Sequence, residues 1–232
     1  GAGQIRLGAT NTMCTGWNSA NTTCSLSGGG DVVMGGGSSD PVDAGLPAGA
    51  SLGWGSGSAN ANGVALGPCT ANSTASVSNE INTRGGNLIL RGASTTENSG
   101  TSAIQAGVAI CNGTTINLDS GRLEISAQFR ATTANYHSAL WIAPWISPAS
   151  PNAVVVNSSN SASDAVTVRA WGSNNDYTSF GLTINNTAGG GALFQMDTIW
   201  SNLAAYFNFN SAGPLRVAPY STSFPVPMNI GS

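Results

Sequence analysis

The 232-residue chain has no lysine, and all seven of its basic residues are arginine. Charged residues make up 7% of it, against roughly a quarter in an average soluble domain. Without lysine, a phosphate-cradling Gly-x-x-x-x-Gly-Lys loop is excluded. The net charge is −3 and the arginines are scattered singly. No basic stripe exists to neutralise a nucleic-acid backbone, so nucleic acid is not an expected partner. His137 is the one histidine, which excludes His-Glu-x-x-His and any two-histidine metal cage. No apolar run approaches the roughly 18 residues of a membrane-spanning helix; the best stretch is 138–146. No cofactor-binding motif occurs, and no metal or cofactor is expected.

The four cysteines, Cys14, Cys24, Cys69 and Cys111, form no Cys-x-x-Cys pair. Their even number and spacing favour two disulfides over zinc. Three pairings are open; Cys14–Cys24 closing a short loop, with Cys69–Cys111 tying two distant segments, is the favoured one. What fills the space left by charge is small and neutral: Gly, Ser, Asn and Thr account for 46% of the chain. With 41% apolar residues and little net charge, this is not the composition of a disordered chain. It suits a secreted or cell-surface protein. Five Asn-x-Ser/Thr sequons occur, at Asn21, Asn72, Asn112, Asn157 and Asn185. With 24 asparagines and 51 serines and threonines, chance alone supplies about five, so they are usable glycosylation sites but carry no signal.

Residues 1–58 read as a Gly/Ser-rich extension laden with turns, and 59–232 as a folded domain. From about residue 77, short β-branched or aromatic stretches such as 87–90, 103–110, 122–129, 139–142, 153–156, 165–171, 180–184, 192–196, 203–209 and 215–217 alternate with Gly, Asn, Ser and Pro. No window sustains a helical face. Many short strands with turn signals between them predict an all-β antiparallel sandwich or barrel. No internal repeat stands out.

Chemistry-bearing patterns are few. Gly49-Ala50-Ser51-Leu52-Gly53 matches the Gly-x-Ser-x-Gly nucleophile elbow, but about half such a match is expected by chance and the flanking Pro47 and Gly-Ser run are not strand and helix. The ten carboxylates are dispersed; Asp119 and Glu124 come closest together, with a turn at Ser120-Gly121 between them.

The segments Gly86-Asn87-Leu88-Ile89-Leu90, Gly121-Arg122-Leu123-Glu124-Ile125 and Ala139-Leu140-Trp141-Ile142-Ala143-Pro144 occur in an order and spacing similar to glycoside hydrolase family 16. Asp197–Trp200 with Tyr206–Phe209, then Pro214–Val217 and Phe224–Ile230, extend the resemblance over about 79–232. It implies an antiparallel concanavalin A-like β-sandwich, or jelly roll, with a glycan cleft. Active members carry Glu-x-Asp-x-x-Glu after the tryptophan motif, and retaining hydrolysis needs two carboxyl groups about 5 Å apart. On the best overlay those places hold Asn152, Val154 and Asn157, and asparagine cannot exchange a proton near neutrality. The resemblance therefore implies a sandwich without the catalytic set.

Three functions follow as expectations. The first is a non-catalytic extracellular structural subunit of a filament, sheath or wall layer. In it, the piece Gln4–Leu7 would complete the sheet of the next copy. The second is a glycan-binding module that stacks sugars on aromatic rings, with Tyr136, His137, Trp145, Trp171 and Tyr177 as candidates. Trp141 reads as core. The third is a glycosidase with a site not recognised in the sequence. The expected partner is thus a polysaccharide or copies of the chain itself.

Overall fold

A computed structural model describes residues 5–7, 12–15, 23–25, 28–35, 51–53, 63–67, 79–94, 105–111, 113–129, 137–142, 154–172, 179–196 and 207–220. Its described residues form three sheets, and every strand pairing in them is parallel. The chain visits the sheets in rotation. One coil consists of β8 (Gln105–Ile110) in sheet I, β9 (Thr115–Asp119) in sheet II and β10 (Leu123–Phe129) in sheet III. The next coil lays β11 (His137–Ile142), β12 (Val154–Ser158) and β13 (Val166–Gly172) beside them. On the other side lie β5 (Val64–Leu66), β6 (Glu80–Asn82) and β7 (Leu88–Ser94). The stack continues through β14 (Ser179–Phe180), β15 (Leu182–Asn186) and β16 (Ala192–Met196) to β17 (Phe207–Asn210) and β18 (Leu215–Ala218). The architecture is a parallel β-solenoid, a stack in which each coil packs on its neighbours.

The expectation of an antiparallel concanavalin A-like sandwich is therefore corrected. Two physical reasons explain the error. Parallel sheets are usually covered on both faces and read as unbroken apolar runs. A solenoid buries only the inward face, so β12, β15 and β16 each alternate buried and half-buried residues as an antiparallel strand would. Secondly, the Gly/Asn/Ser turns do not reverse the chain. They bend it round a corner into the next sheet, and the hydrogen-bonding partner arrives one coil later.

The repeat was hidden by unequal coils. Leu88, Leu123, Val166, Ala192 and Leu215 stack in register, at intervals of 35, 43, 26 and 23 residues. Extra residues sit in some connections and not in others, so no fixed period marks the sequence. The motif pieces at Gly86–Leu90 and Gly121–Ile125 occupy the same corner and strand start in successive coils.

The core fills the lumen. Sheet I contributes Val108, Ile110, Leu140 and Ile142, sheet II Ile81, Ile116, Val156 and Ile184, and sheet III Leu88, Leu90, Leu123, Ile125, Val166 and Val168, all essentially inaccessible to water. Each such aliphatic side chain contributes about 1.5–3 kcal/mol through burial. Phe194 meets Phe207 edge to face at 5.3 Å between ring centres, extending the core towards the last coil.

The corner between sheets II and III fixes how closely coils approach. A side chain at Gly121 would run into the carbonyl oxygen of Gly86 in the coil before, so only glycine fits there. Polar groups of the same corner are bonded from coil to coil. The Asp31 carboxylate accepts from the Asn87 amide N–H at 2.8 Å, and the Asn87 side-chain oxygen accepts from the Arg122 N–H at 2.9 Å. Asn160 donates to the Ser120 carbonyl at 2.6 Å, and Asn186 donates to the Asn160 carbonyl at 2.9 Å.

Strands from residues 1–58 belong to the same stack. β1 (Ile5–Leu7) pairs in parallel with β5 of its own chain. β2 (Thr12–Cys14) pairs with β6, and β3 (Val32–Met34) and β4 (Ser51–Gly53) both pair with β7. The Cys14–Cys24 disulfide is formed as expected. Cys111 is disulfide-bonded too; Cys69, its expected partner, lies outside the described residues. No helix among the described residues is long and apolar enough to cross a membrane.

Candidate functional site

The outer face of sheet II carries one residue type in register through five coils. Ile81-Asn82, Ile116-Asn117, Val156-Asn157 and Ile184-Asn185 each place an apolar residue in the lumen and an asparagine outside, as the two-residue period of a strand requires, and Phe209-Asn210 continues the pattern with Phe209 partly buried against the core. The side-chain amides bond to one another along the solenoid axis. Asn210 donates to the Asn185 oxygen at 2.9 Å, Asn185 to Asn157 at 2.9 Å, Asn157 to Asn117 at 2.8 Å, and Asn117 to Asn82 at 2.6 Å. All four bonds point the same way, from the later coil to the earlier. Aligned hydrogen bonds of this kind polarise and strengthen one another.

Two further outward columns flank the ladder. On one side, Glu80, Thr115, Val155, Thr183 and Asn208 stand in register. Glu80 accepts the second amide hydrogen of Asn117 at 3.1 Å, and Asn208 donates to the Thr183 hydroxyl at 3.4 Å. On the other side, Arg84, Asp119, Ser159 and Thr187 follow the strands at the corner. Arg84 and Asp119 both adopt left-handed backbone conformations, with φ of +52° and +51°. Aspartate tolerates this region better than arginine does. The Arg84 guanidinium is held there by the Asp119 carboxylate at 3.3 Å and by the Ser25 carbonyl at 3.2 Å. The ladder and the corner column together line a shallow trough of about 650 Å³ running from Thr12 and Cys24 to Asn185 and Thr187.

The residues expected from the sequence are distributed as follows. Asn157 and Asn185 are rungs of the ladder, and their side-chain nitrogens are bonded within it. Val154 is fully buried in the lumen. Trp171 is half-buried on sheet III, stacked on the Tyr220 ring at 4.5 Å with the planes 3° apart. His137 opens β11 in sheet I. Trp171, His137 and Asn157 thus belong to strands of three different sheets. Trp141 is buried, beside Ala106, Ala109 and Cys111. Tyr136, Trp145, Asn152, Tyr177, Asn21, Asn72 and Asn112 lie outside the described residues.

Sequence reasoning missed Asn82, Asn117 and Asn210. The signal was present as a recurring apolar-Asn dipeptide, each followed 5–9 residues later by another apolar strand start. Among the described residues, no cluster of three His, Cys, Asp or Glu is arranged to hold a metal ion. Comparison of the chain with protein-family models, with curated proteins and with solved structures finds no match in any of the three.

Proposed function

We propose that this chain is an extracellular structural protein, a subunit of a filament, sheath or wall layer. The observation that carries the reading is the unbroken asparagine ladder outside sheet II, which binds five coils along one axis. Backbone bonds between coils run along that same axis, as they do in cross-β assemblies where amide ladders add to cohesion. Stacked coils give a stiff unit that lengthens by repetition. The scarcity of charge and the Cys14–Cys24 disulfide are in keeping with an oxidising, extracellular setting. Negative-stain microscopy of the purified chain at high concentration tests the reading. Fibres or an ordered lattice are expected, and a monodisperse monomer at every concentration would overturn it.

A further inference from the structure

We propose that the trough on sheet II is a binding site for an extended, uncharged polysaccharide lying along the solenoid axis. This does not depend on the structural role above.

The first support is unused hydrogen-bonding capacity, fixed in space. A carboxamide offers two N–H donors and an oxygen with two lone pairs. In Asn157 and Asn185 the ladder consumes one N–H and one lone pair. These two half-buried rungs, which line the trough, each keep one donor and one acceptor for a ligand. A donor beside an acceptor is what a pair of neighbouring sugar hydroxyls complements. Because each amide is already held by its neighbours, little side-chain freedom is lost when a ligand binds.

Spacing is the second support. Rungs recur once per coil, about 4.8 Å apart, so a chain molecule whose hydroxyl groups recur at a similar interval meets several rungs at once. Thr187 and Ser159 place exposed hydroxyls along one wall of the trough. Its volume of about 650 Å³ lies within the 300–1,000 Å³ typical of ligand sites.

Charge selects the class of glycan. Three of the residues lining the trough are charged, and each is engaged: Arg84 with Asp119, and Glu80 with Asn117. Carboxylates outnumber guanidinium groups by two to one there, so a polyanion finds no free cation and meets net repulsion. The half of the trough from Asn157 to Thr187 is neutral. A neutral polymer of hydroxyl groups fits this arrangement, and a nucleic acid or uronic-acid chain does not.

Affinity gel electrophoresis of the full chain tests the proposal, using laminarin, xyloglucan and hydroxyethyl cellulose as neutral probes and polygalacturonate as the anionic one. Retardation by at least one neutral glucan is expected, with none by polygalacturonate. Thr187→Arg fills the trough without touching the ladder and should weaken the dissociation constant at least tenfold while the melting temperature stays unchanged. Asn157→Ala should weaken it further. Failure of every neutral glucan to retard the chain would overturn the proposal. So would retardation that Thr187→Arg leaves unchanged, or retardation by polygalacturonate alone. None of these outcomes bears on fibre formation, which is read separately by microscopy.

Discussion

The outer faces of sheets II and III solve the same problem with different chemistry. On sheet II, amides bond through five successive coils without interruption. On sheet III, the coil-to-coil contacts are isolated pairs: Arg91 with Glu124 at 3.4 Å, and Arg169 Nε with the Gln195 oxygen at 2.8 Å. The difference lies in the inventory of each group. An amide both donates and accepts, so it pairs with a copy of itself and hands the pattern on. Guanidinium only donates and carboxylate only accepts, so neither pairs with a copy of itself, and a run along the axis needs two residue types to alternate from coil to coil. A repeating self-complementary residue therefore makes a ladder, whereas Arg91 and Arg169 on sheet III each pair with a neighbour of another type. A chain with 7% charged residues and 24 asparagines is composed for the first solution.

Both faces rest on one core, and breaking that core should remove the contrast altogether. Ile116→Ala empties a fully buried position under sheet II and should cost about 2–5 kcal/mol. Chemical denaturation should show both faces lost in one transition. Gly121→Ala comes next. Its new methyl group meets the Gly86 carbonyl at the corner shared by sheets II and III, and forced overpacking costs about 1–3 kcal/mol. As a comparison, Ala→Ser at exposed Ala188 or Ala212 should be nearly silent.

The third test sharpens the contrast directly. Asn157→Ala removes two rungs' bonds at once, leaving the Asn117 oxygen and the Asn185 nitrogen to water on a half-open face. A loss of about 1 kcal/mol is expected, with measurable coupling to Asn185→Ala in a double-mutant cycle. The smallest effect belongs to sheet III. Arg91→Gln should change stability by under about 1 kcal/mol, because the pair is a third exposed on each side and such pairs contribute little. Raising the salt concentration should erase that effect and leave the Asn157→Ala effect as it was.

Much of the local structure was legible in the sequence. The strands around 88–90, 122–129, 165–171 and 192–196 follow from β-branched residues set between turn residues, and the structure places strands there. The Cys14–Cys24 disulfide followed from cysteine count and spacing. The pairing did not follow. Alternation along β12 or β15 records that one face is wet, and both an antiparallel sandwich and a solenoid leave one face wet. Strand direction is set by the corners, where Gly121 against Gly86 and Asn160 against Ser120 bring consecutive coils together. Those contacts span 35 and 40 residues, and unequal coil lengths conceal them. The ladder was hidden for a related reason. Asparagines at 82, 117, 157, 185 and 210 are five among 24, and only register singles them out.

The parallel register is the claim on which the lumen, the ladder and the trough all depend, and a cross-link measures it most directly. Thr115 and Val155 are register partners on adjacent strands of sheet II, both half-exposed. Neighbouring strands place their backbones about 4.8 Å apart, within the span a disulfide accepts. The double variant Thr115→Cys, Val155→Cys should therefore close a bond between positions 115 and 155 under mild oxidation, mapped by peptide mass. The offset variant Thr115→Cys, Ser159→Cys, displaced by about 13 Å along the strand, should remain open. Closure of the offset pair in preference to the register pair, or closure of neither, would contradict the parallel solenoid.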